Sequence, residues 1–146
     1  MGTLSNFDLL TVGIVVAAMV ALGFTVYFSN LGSITARAFL VFTLVTSVWG
    51  IVNYLNYQFA SPTITLWLLR FVMFFAVWQA YTLFHLFYVF PESRIKIPAW
   101  HTFILLPLAA LVSIITLTPA VFPSIAQLSS PGQVSSTVVN PGIYLF

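Results

Sequence analysis

Residues 9–28 read LLTVGIVVAAMVALGFTVYF, and this stretch contains no charged side chain. A transmembrane helix needs about 20 consecutive, mostly apolar residues. Three further stretches, 38–59, 64–90 and 100–122, have similar length and character. A water-soluble fold needs charged surface around its core, and four such stretches in so short a chain leave little room for it. The sequence therefore predicts an all-α integral membrane protein, built as a four-helix antiparallel transmembrane bundle.

The composition supports that class and excludes several others. Charged residues make up 4% of the chain and hydrophobic residues 61%, with a mean hydropathy of +1.10. The net charge of +2 comes from scattered cations, whereas nucleic-acid binding needs a clustered basic face. Cysteine is absent, which excludes disulfides and thiolate metal sites. We predict a single transmembrane domain over 1–146, with the lipid bilayer as a partner and no nucleic acid.

Local signals mark where the helices begin and end. Ser33 can cap the second helix, and Ser61-Pro62 fits the cap and first turn of the third. Pro91 should end the third helix, because it disfavours the helical conformation in the residue before it. Pro107 lies inside the fourth helix and should bend it.

These signals divide the chain into helices and one long loop. The bounds that they predict are helices at about 6–29, 34–60, 62–90 and 98–122, an external loop at 123–141 and the start of a fifth helix at 142–146. The fifth helix is expected because the chain becomes apolar again after Pro141-Gly142. The alternative is a short hydrophobic tail.

The distribution of cations predicts the orientation. Arg37 lies in the first connection, and Arg94 and Lys96 lie in the third, whereas the second connection has no cation. Cytoplasmic loops carry an excess of Lys and Arg. Both basic loops are cytoplasmic only if the N-terminus is external, so we predict a multi-pass protein of the cell (inner or plasma) membrane with its N-terminus outside.

Arg70 is the one charged residue inside a predicted span. Intramembrane charges mark functional sites by default, yet a long side chain near a helix end can also reach the interface. Asn53 lies at a matching depth on the neighbouring helix, and Asp8 is the other available partner. We therefore predict a structural bond from Arg70 to Asn53 or Asp8, with ligand binding as the alternative.

Two stripes of small and polar residues predict packing contacts. The first helix has Gly13, Ala17 and Ala21 at intervals of four. The second helix has a longer stripe at intervals of three and four, formed by Thr43, Thr46, Gly50, Asn53 and Tyr57. Small residues let membrane helices approach closely. We expect both stripes to be packing seams, with a polar cavity along the second as the alternative.

The third helix has two further candidates for polar contacts between helices, His85 and Gln79. His85 and His101 flank the third connection, where Glu92 is the nearest carboxylate. A metal site needs three or four ligands, so hydrogen bonding between helices is the better interpretation. The sequence contains no arrangement of nucleophile and base, no carboxylate pair and no phosphate-binding glycine loop. We predict that the chain is not an enzyme and needs no cofactor.

Several short motifs follow one another in a particular order along the chain. They are ARAF at 36–39, Trp49 with Tyr54, WLLR at 67–70, FYVFPE at 87–92, LTP at 117–119 and PGIY at 141–144. This order resembles the N-terminal seven-helix sensor region of bacterial histidine kinases, of which the chain would contain the first four helices and the start of the fifth.

The resemblance implies an external N-terminus, a cytoplasmic output domain downstream and a homodimer. It implies that the chain is the sensory input region of a bacterial signal-transduction protein. The alternative is a small membrane scaffold or transporter subunit without a sensing role.

Overall fold

Three long helices dominate the computed structural model, which describes residues 2–59, 61–91, 96–127 and 136–145. They are α1 (Gly2–Ser29), α2 (Ile34–Asn56) and α3 (Pro62–Val89). Each contains a segment long and apolar enough to cross a membrane, judged by length and composition. Their continuous apolar runs explain why they are helical throughout, because no proline or charge cluster interrupts them.

The ends of these helices follow local chemistry. The Ser33 hydroxyl accepts a hydrogen bond from the Ala36 amide at 3.3 Å and caps α2. Ser61 is the N-cap of α3, and Pro62 occupies its first turn. Phe90 has an extended backbone (φ −80°, ψ 138°) next to Pro91, and α3 ends there. The second helix stops at Asn56, four residues before the predicted end at 60, because the chain turns through Tyr57 and Gln58.

The fourth helical segment is shorter than the predicted 98–122. It consists of a π-helical turn, His101–Leu105, followed by α4 (Leu106–Thr116). Residues 117–121 form turns instead, since Pro119 has no amide hydrogen with which to continue a helix. The π turn lies just before Pro107, where we expected a bend. Its wider backbone provides space for the proline ring, which would otherwise crowd the carbonyl four residues earlier.

The chain after α4 folds back on itself. Two short strands, β1 (Ile125–Gln127) and β2 (Ser136–Thr137), pair antiparallel within the predicted external loop. A 3₁₀ turn over Pro141–Leu145 follows, at the position predicted for a fifth helix. The Gly142 amide donates to the Ala120 carbonyl at 3.2 Å. A Cβ at position 142 would lie 2.5 Å from that oxygen, so this close approach requires glycine.

Neighbouring helices contact each other through residues from opposite ends. Gly23 of α1 faces Thr43 of α2, while Val16 lies beside Gly50. The Thr35 hydroxyl near the start of α2 donates to the Val89 carbonyl at the end of α3, at 3.0 Å. Along these contacts, residue numbers decrease in one helix as they increase in its neighbour.

Burial in this fold is the reverse of that in a water-soluble protein. Most side chains with the least exposure are small or polar, including Thr43 and Thr116 at 0% and Ser113 at 1%, beside the two valines Val89 and Val121 at 0%. Large apolar side chains lie outside, as at Phe103 (76% exposed) and Phe87 (70% exposed). Soluble proteins bury such side chains, whereas helices in lipid place small and hydroxyl-bearing residues at their contacts.

Candidate functional site

Gly23 of α1 is buried and packs directly against α2. A Cβ at this position would overlap the Thr43 hydroxyl and would lie 3.2 Å from the Thr43 Cβ and 3.3 Å from Leu40 Cδ1. Only a residue without a side chain fits against Thr43 and Leu40 at this position. Gly23 therefore sets the separation of the helix pair.

The predicted seam on the first helix is wrong. Gly13, Ala17 and Ala21 are all exposed, and a Cβ on Gly13 would meet no atom of the described residues within 4 Å. A strict interval of four advances about 40° per step around a helix, so such a stripe leaves one face after two or three steps. The contact face alternates intervals of four and three instead, through Val12, Val16, Met19 and Gly23.

The stripe on the second helix does face α1. Thr43 is fully buried against Gly23, and a Cβ on Gly50 would lie 4.0 Å from the nearest atom, in Val16. The two helices are thus in close contact at Gly23 and further apart at Gly50. The space between them widens toward the start of α1 and the end of α2.

An outer cleft occupies the wide end of this space, with a volume of about 520 Å³. It combines one carboxylate, two amides and three aromatic rings with small or apolar walls. Its lining residues are Phe7, Asp8, Thr11, Val12, Gly50, Asn53, Tyr54, Tyr57 and Gln58. Asp8 is exposed, and no ion pair or hydrogen bond joins it to the described residues. This cleft corresponds to the polar cavity that was the alternative interpretation of the second stripe.

A narrower inner cavity of about 270 Å³ continues the outer cleft along the same helix pair. The two share Thr11, Val12, Gly50 and Asn53 as lining residues. We call the two together the α1–α2 groove. The remaining walls of the inner cavity are formed by Val15, Val16, Met19, Thr46, Ser47 and Trp49.

Three polar atoms in the walls of the inner cavity are buried without a partner in the described part of the chain. They are Thr46 Oγ1, Ser47 Oγ and Trp49 Nε1. Ser47 is 5% exposed. An unsatisfied buried polar group costs about 1–3 kcal/mol, so most such groups in proteins have a partner. These atoms lie within the packed helix pair, behind the surface of the groove.

Arg70 has a different partner from the one predicted. Its Nη2 and Nε donate to the Phe122 carbonyl at 2.7 and 3.3 Å, and Trp67 lies under the guanidinium with its ring centre 5.1 Å from Cζ. The residue is 6% exposed. It bonds to neither Asn53 nor Asp8, because the turns after α4 bring a free backbone carbonyl closer than either side chain. Such an acceptor belongs to the backbone and has no signature in the sequence.

The other predicted polar residues, His85 and Gln79, lie on α3, His85 near its end and Gln79 further from it. His85 Nδ1 lies 3.2 Å from Nε2 of His101, so the two imidazoles link α3 to the π-helical turn. His101 is 2% exposed, and its ring is surrounded by those of Tyr81, Phe84, His85, Tyr88 and Trp100. The Gln79 side chain is half-buried and has no hydrogen bond to the described residues. Glu92, considered as a third metal ligand, lies outside them.

Comparisons with known proteins find no matching family model, no matching curated protein and no matching solved structure. The resemblance to histidine-kinase sensor regions thus stays a prediction. Among the features described above, the α1–α2 groove is the one best suited to take up a small molecule. It offers hydrogen-bonding groups, one carboxylate and aromatic rings, which are groups that bind and orient.

Proposed function

We propose that this chain is a sensory membrane domain, the input region of a bacterial signal-transduction protein, and that the α1–α2 groove is its input site. The observation that carries this proposal is the groove itself, a cleft that combines a carboxylate with two amides and three aromatic rings. A sensor needs such a site on a bundle whose helices can shift relative to one another. The motif order and the seven-helix plan that it implies add support.

The proposal places the chain in the membrane as a four-helix antiparallel bundle. Three apolar helices of sufficient length and the reversed burial pattern support this placement. The fourth segment, His101–Thr116, is about 24 Å long. A hydrocarbon core of about 30 Å accommodates it through local thinning or through the apolar residues that flank it.

The positions of the cations support an external groove. Arg37 follows the start of α2, and Lys96 follows the end of α3, two points that the bond from Thr35 to Val89 holds together. The groove opens at the other end of α2, where Tyr57 and Gln58 lie. If the end with Arg37 and Lys96 is cytoplasmic, the groove faces the outside.

Thiol labelling tests this orientation, because the chain has no cysteine. We expect Ser124→Cys to react with a membrane-impermeant maleimide in intact cells, and Lys96→Cys to react only after the membrane is opened. Both positions are exposed, so access to the reagent decides the outcome. Labelling of position 96 but not position 124 in intact cells would contradict the proposed topology.

The coding sequence beyond the codon of Phe146 tests the sensory role. We expect three more apolar spans followed by a charged, soluble signalling module, since three spans would carry the chain from the outside to the cytoplasm. A stop codon directly after Phe146, together with a monomeric protein in detergent, would favour the scaffold or transporter-subunit function instead.

A further inference from the structure

The two histidines of the chain meet at one point of the fold. The sequence contains only these two, and His85 Nδ1 lies 3.2 Å from His101 Nε2. His85 is on α3, one turn before Val89, whereas His101 begins the π-helical turn that precedes α4. Histidine is the side chain that ordinarily changes its charge between pH 5 and 8. Their bond therefore joins two helical elements through a pair of proton-binding groups.

The geometry of this bond limits how many protons the pair can hold. One ring nitrogen must donate and the other must accept, and an imidazole nitrogen accepts only when it carries no proton. The neutral pair meets this condition, and so does a pair with one added proton, because one imidazole still has a free lone pair. When both imidazoles are protonated, all four ring nitrogens are donors. The bond is then lost.

The surroundings of His101 make a second added proton incompatible with the closed pair. His101 is 2% exposed. Its ring centre lies 4.9 Å from that of His85 and 5.5–6.2 Å from those of four aromatic residues. Little water can enter to screen two like charges at this separation, so they repel each other strongly. His85 is only half-buried, and protons reach the pair through it.

The other ionisable groups beside the pair, on its own elements, are phenols. Tyr81 and Tyr88 of α3 contact the His101 ring, with ring centres 5.5 and 5.9 Å away. Phenols titrate near pH 10, so both are neutral where histidine changes its charge. The remaining residues of the π-helical turn and α4 have no ionisable side chain. No titration on these elements therefore competes with that of the two imidazoles.

Charged residues of the neighbouring segments lie at the same end of the bundle. On α2 this residue is Arg37, whose guanidinium donates to the Leu31 carbonyl, and Lys96 is exposed in the connection before the π-helical turn. Both stay cationic across the range in which histidine titrates. Glu92 and Arg94 of that connection lie outside the described residues, so the carboxylate needs a control variant.

We propose that the His85–His101 pair is a proton switch, which holds α3 against the π-helical turn with at most one added proton and releases it with two. Acid favours the state that binds more protons, so low pH opens this contact and neutral pH closes it. Single π-helical turns occur frequently at functional sites. The switch lies at the opposite end of the bundle from the α1–α2 groove, and it operates whether or not the groove is the input site.

Amide substitutions distinguish a proton switch from a purely structural bond. An asparagine side chain at position 85 places its amide where Nδ1 stands, and a glutamine at position 101 does the same for Nε2. An amide has both a donor and an acceptor. His85→Asn and His101→Gln can therefore each keep a bond to the remaining histidine in either of its protonation states, whereas His85→Phe removes the bond.

The test uses the full chain in phosphatidylcholine nanodiscs, labelled with ¹⁵N-histidine and titrated from pH 8 to pH 4 by NMR. With two histidines in the chain, every ring-nitrogen signal comes from the pair. We expect the coupling across the N–H···N bond to persist after the first proton binds and to disappear with the second. The Leu106 amide donates to the His101 carbonyl. Its protection from hydrogen exchange, corrected for the intrinsic effect of pH, should fall about fivefold between pH 8 and pH 4.

The variants give opposite expectations for this protection. It should be the same at both pH values in His85→Asn and in His101→Gln, and reduced about fivefold at both in His85→Phe. Glu92→Gln should leave the pH effect of the original chain intact. A coupling that persists down to pH 4 in the original chain would overturn the proposal without recourse to any variant. So would an undiminished pH effect in both amide variants, or its loss in Glu92→Gln.

Discussion

Replacing Gly23 by leucine should separate α1 from α2 and produce the largest loss of stability among single substitutions in this helix pair. Even a Cβ overlaps the Thr43 hydroxyl, which donates to the Leu40 carbonyl at 2.8 Å. Thr43 cannot turn away without breaking that bond, and its own Cβ would remain only 3.2 Å away. Overpacking of a tight contact costs about 1–3 kcal/mol. Thermal unfolding in detergent, followed by circular dichroism, measures the loss.

Two comparisons sharpen this test. Gly13→Leu adds the same bulk and removes the same type of residue from α1, but at an exposed position, so it should leave the unfolding temperature nearly unchanged. Thr43→Ala removes the hydroxyl that a side chain at position 23 would strike, and it should restore part of the stability lost in Gly23→Ala. Equal shifts for Gly13→Leu and Gly23→Leu would show that Gly23 does not set the separation of the helices.

Replacing Arg70 by methionine should loosen the segment that follows α4. The guanidinium donates twice to the Phe122 carbonyl, and a buried hydrogen bond to a charged group contributes about 1.5–3 kcal/mol. The two preceding carbonyls in this segment accept bonds from the end of the chain, Val121 from the Asn140 amide and Ala120 from the Gly142 amide. We therefore expect faster hydrogen exchange at Asn140 and Gly142, as well as a lower unfolding temperature.

The matched control is Arg37→Met, which removes the same charge at an exposed position. Arg37 also donates to a backbone carbonyl, that of Leu31 at 3.1 Å, but at the opposite end of the bundle. It should leave exchange at Asn140 and Gly142 unchanged. Arg70→Lys keeps the charge without the planar pair of donors and should give an intermediate effect. Unaltered exchange at both amides in Arg70→Met would contradict the role assigned to Arg70.

The helices were predictable because their signals are local. Continuous apolar runs and the residues Ser33, Ser61 and Pro91 act within a few positions of the backbone that they influence. The fourth helix was predicted too long because hydropathy continues to Phe122, whereas Pro119 and the turns before it end the helix earlier. A hydropathy profile does not report the hydrogen bonds that end a helix.

The candidate site was predictable only in part, because it depends on which faces meet. The stripe containing Thr43, Gly50 and Asn53 lies at the contact with α1, and both histidines lie together. On α1, however, small residues occur on more than one face, and the interval of four selected the wrong one. The partner of Arg70 is a backbone carbonyl, and the groove arises from the divergence of two helices. Neither is encoded by residue type at a fixed spacing.

The tight contact at Gly23 also makes the α1–α2 pair a lever with unequal arms. Asp8 lies about 22 Å along α1 from Gly23, and Ser29 lies about 9 Å away on the other side. If the helices tilt as rigid rods about Gly23, a widening of about 1 Å at Asp8 moves the far end by about 0.4 Å in the opposite direction. The mechanical output of the pair is therefore a reduced displacement, and only an adjoining interface with two alternative packings would convert it into a large rearrangement.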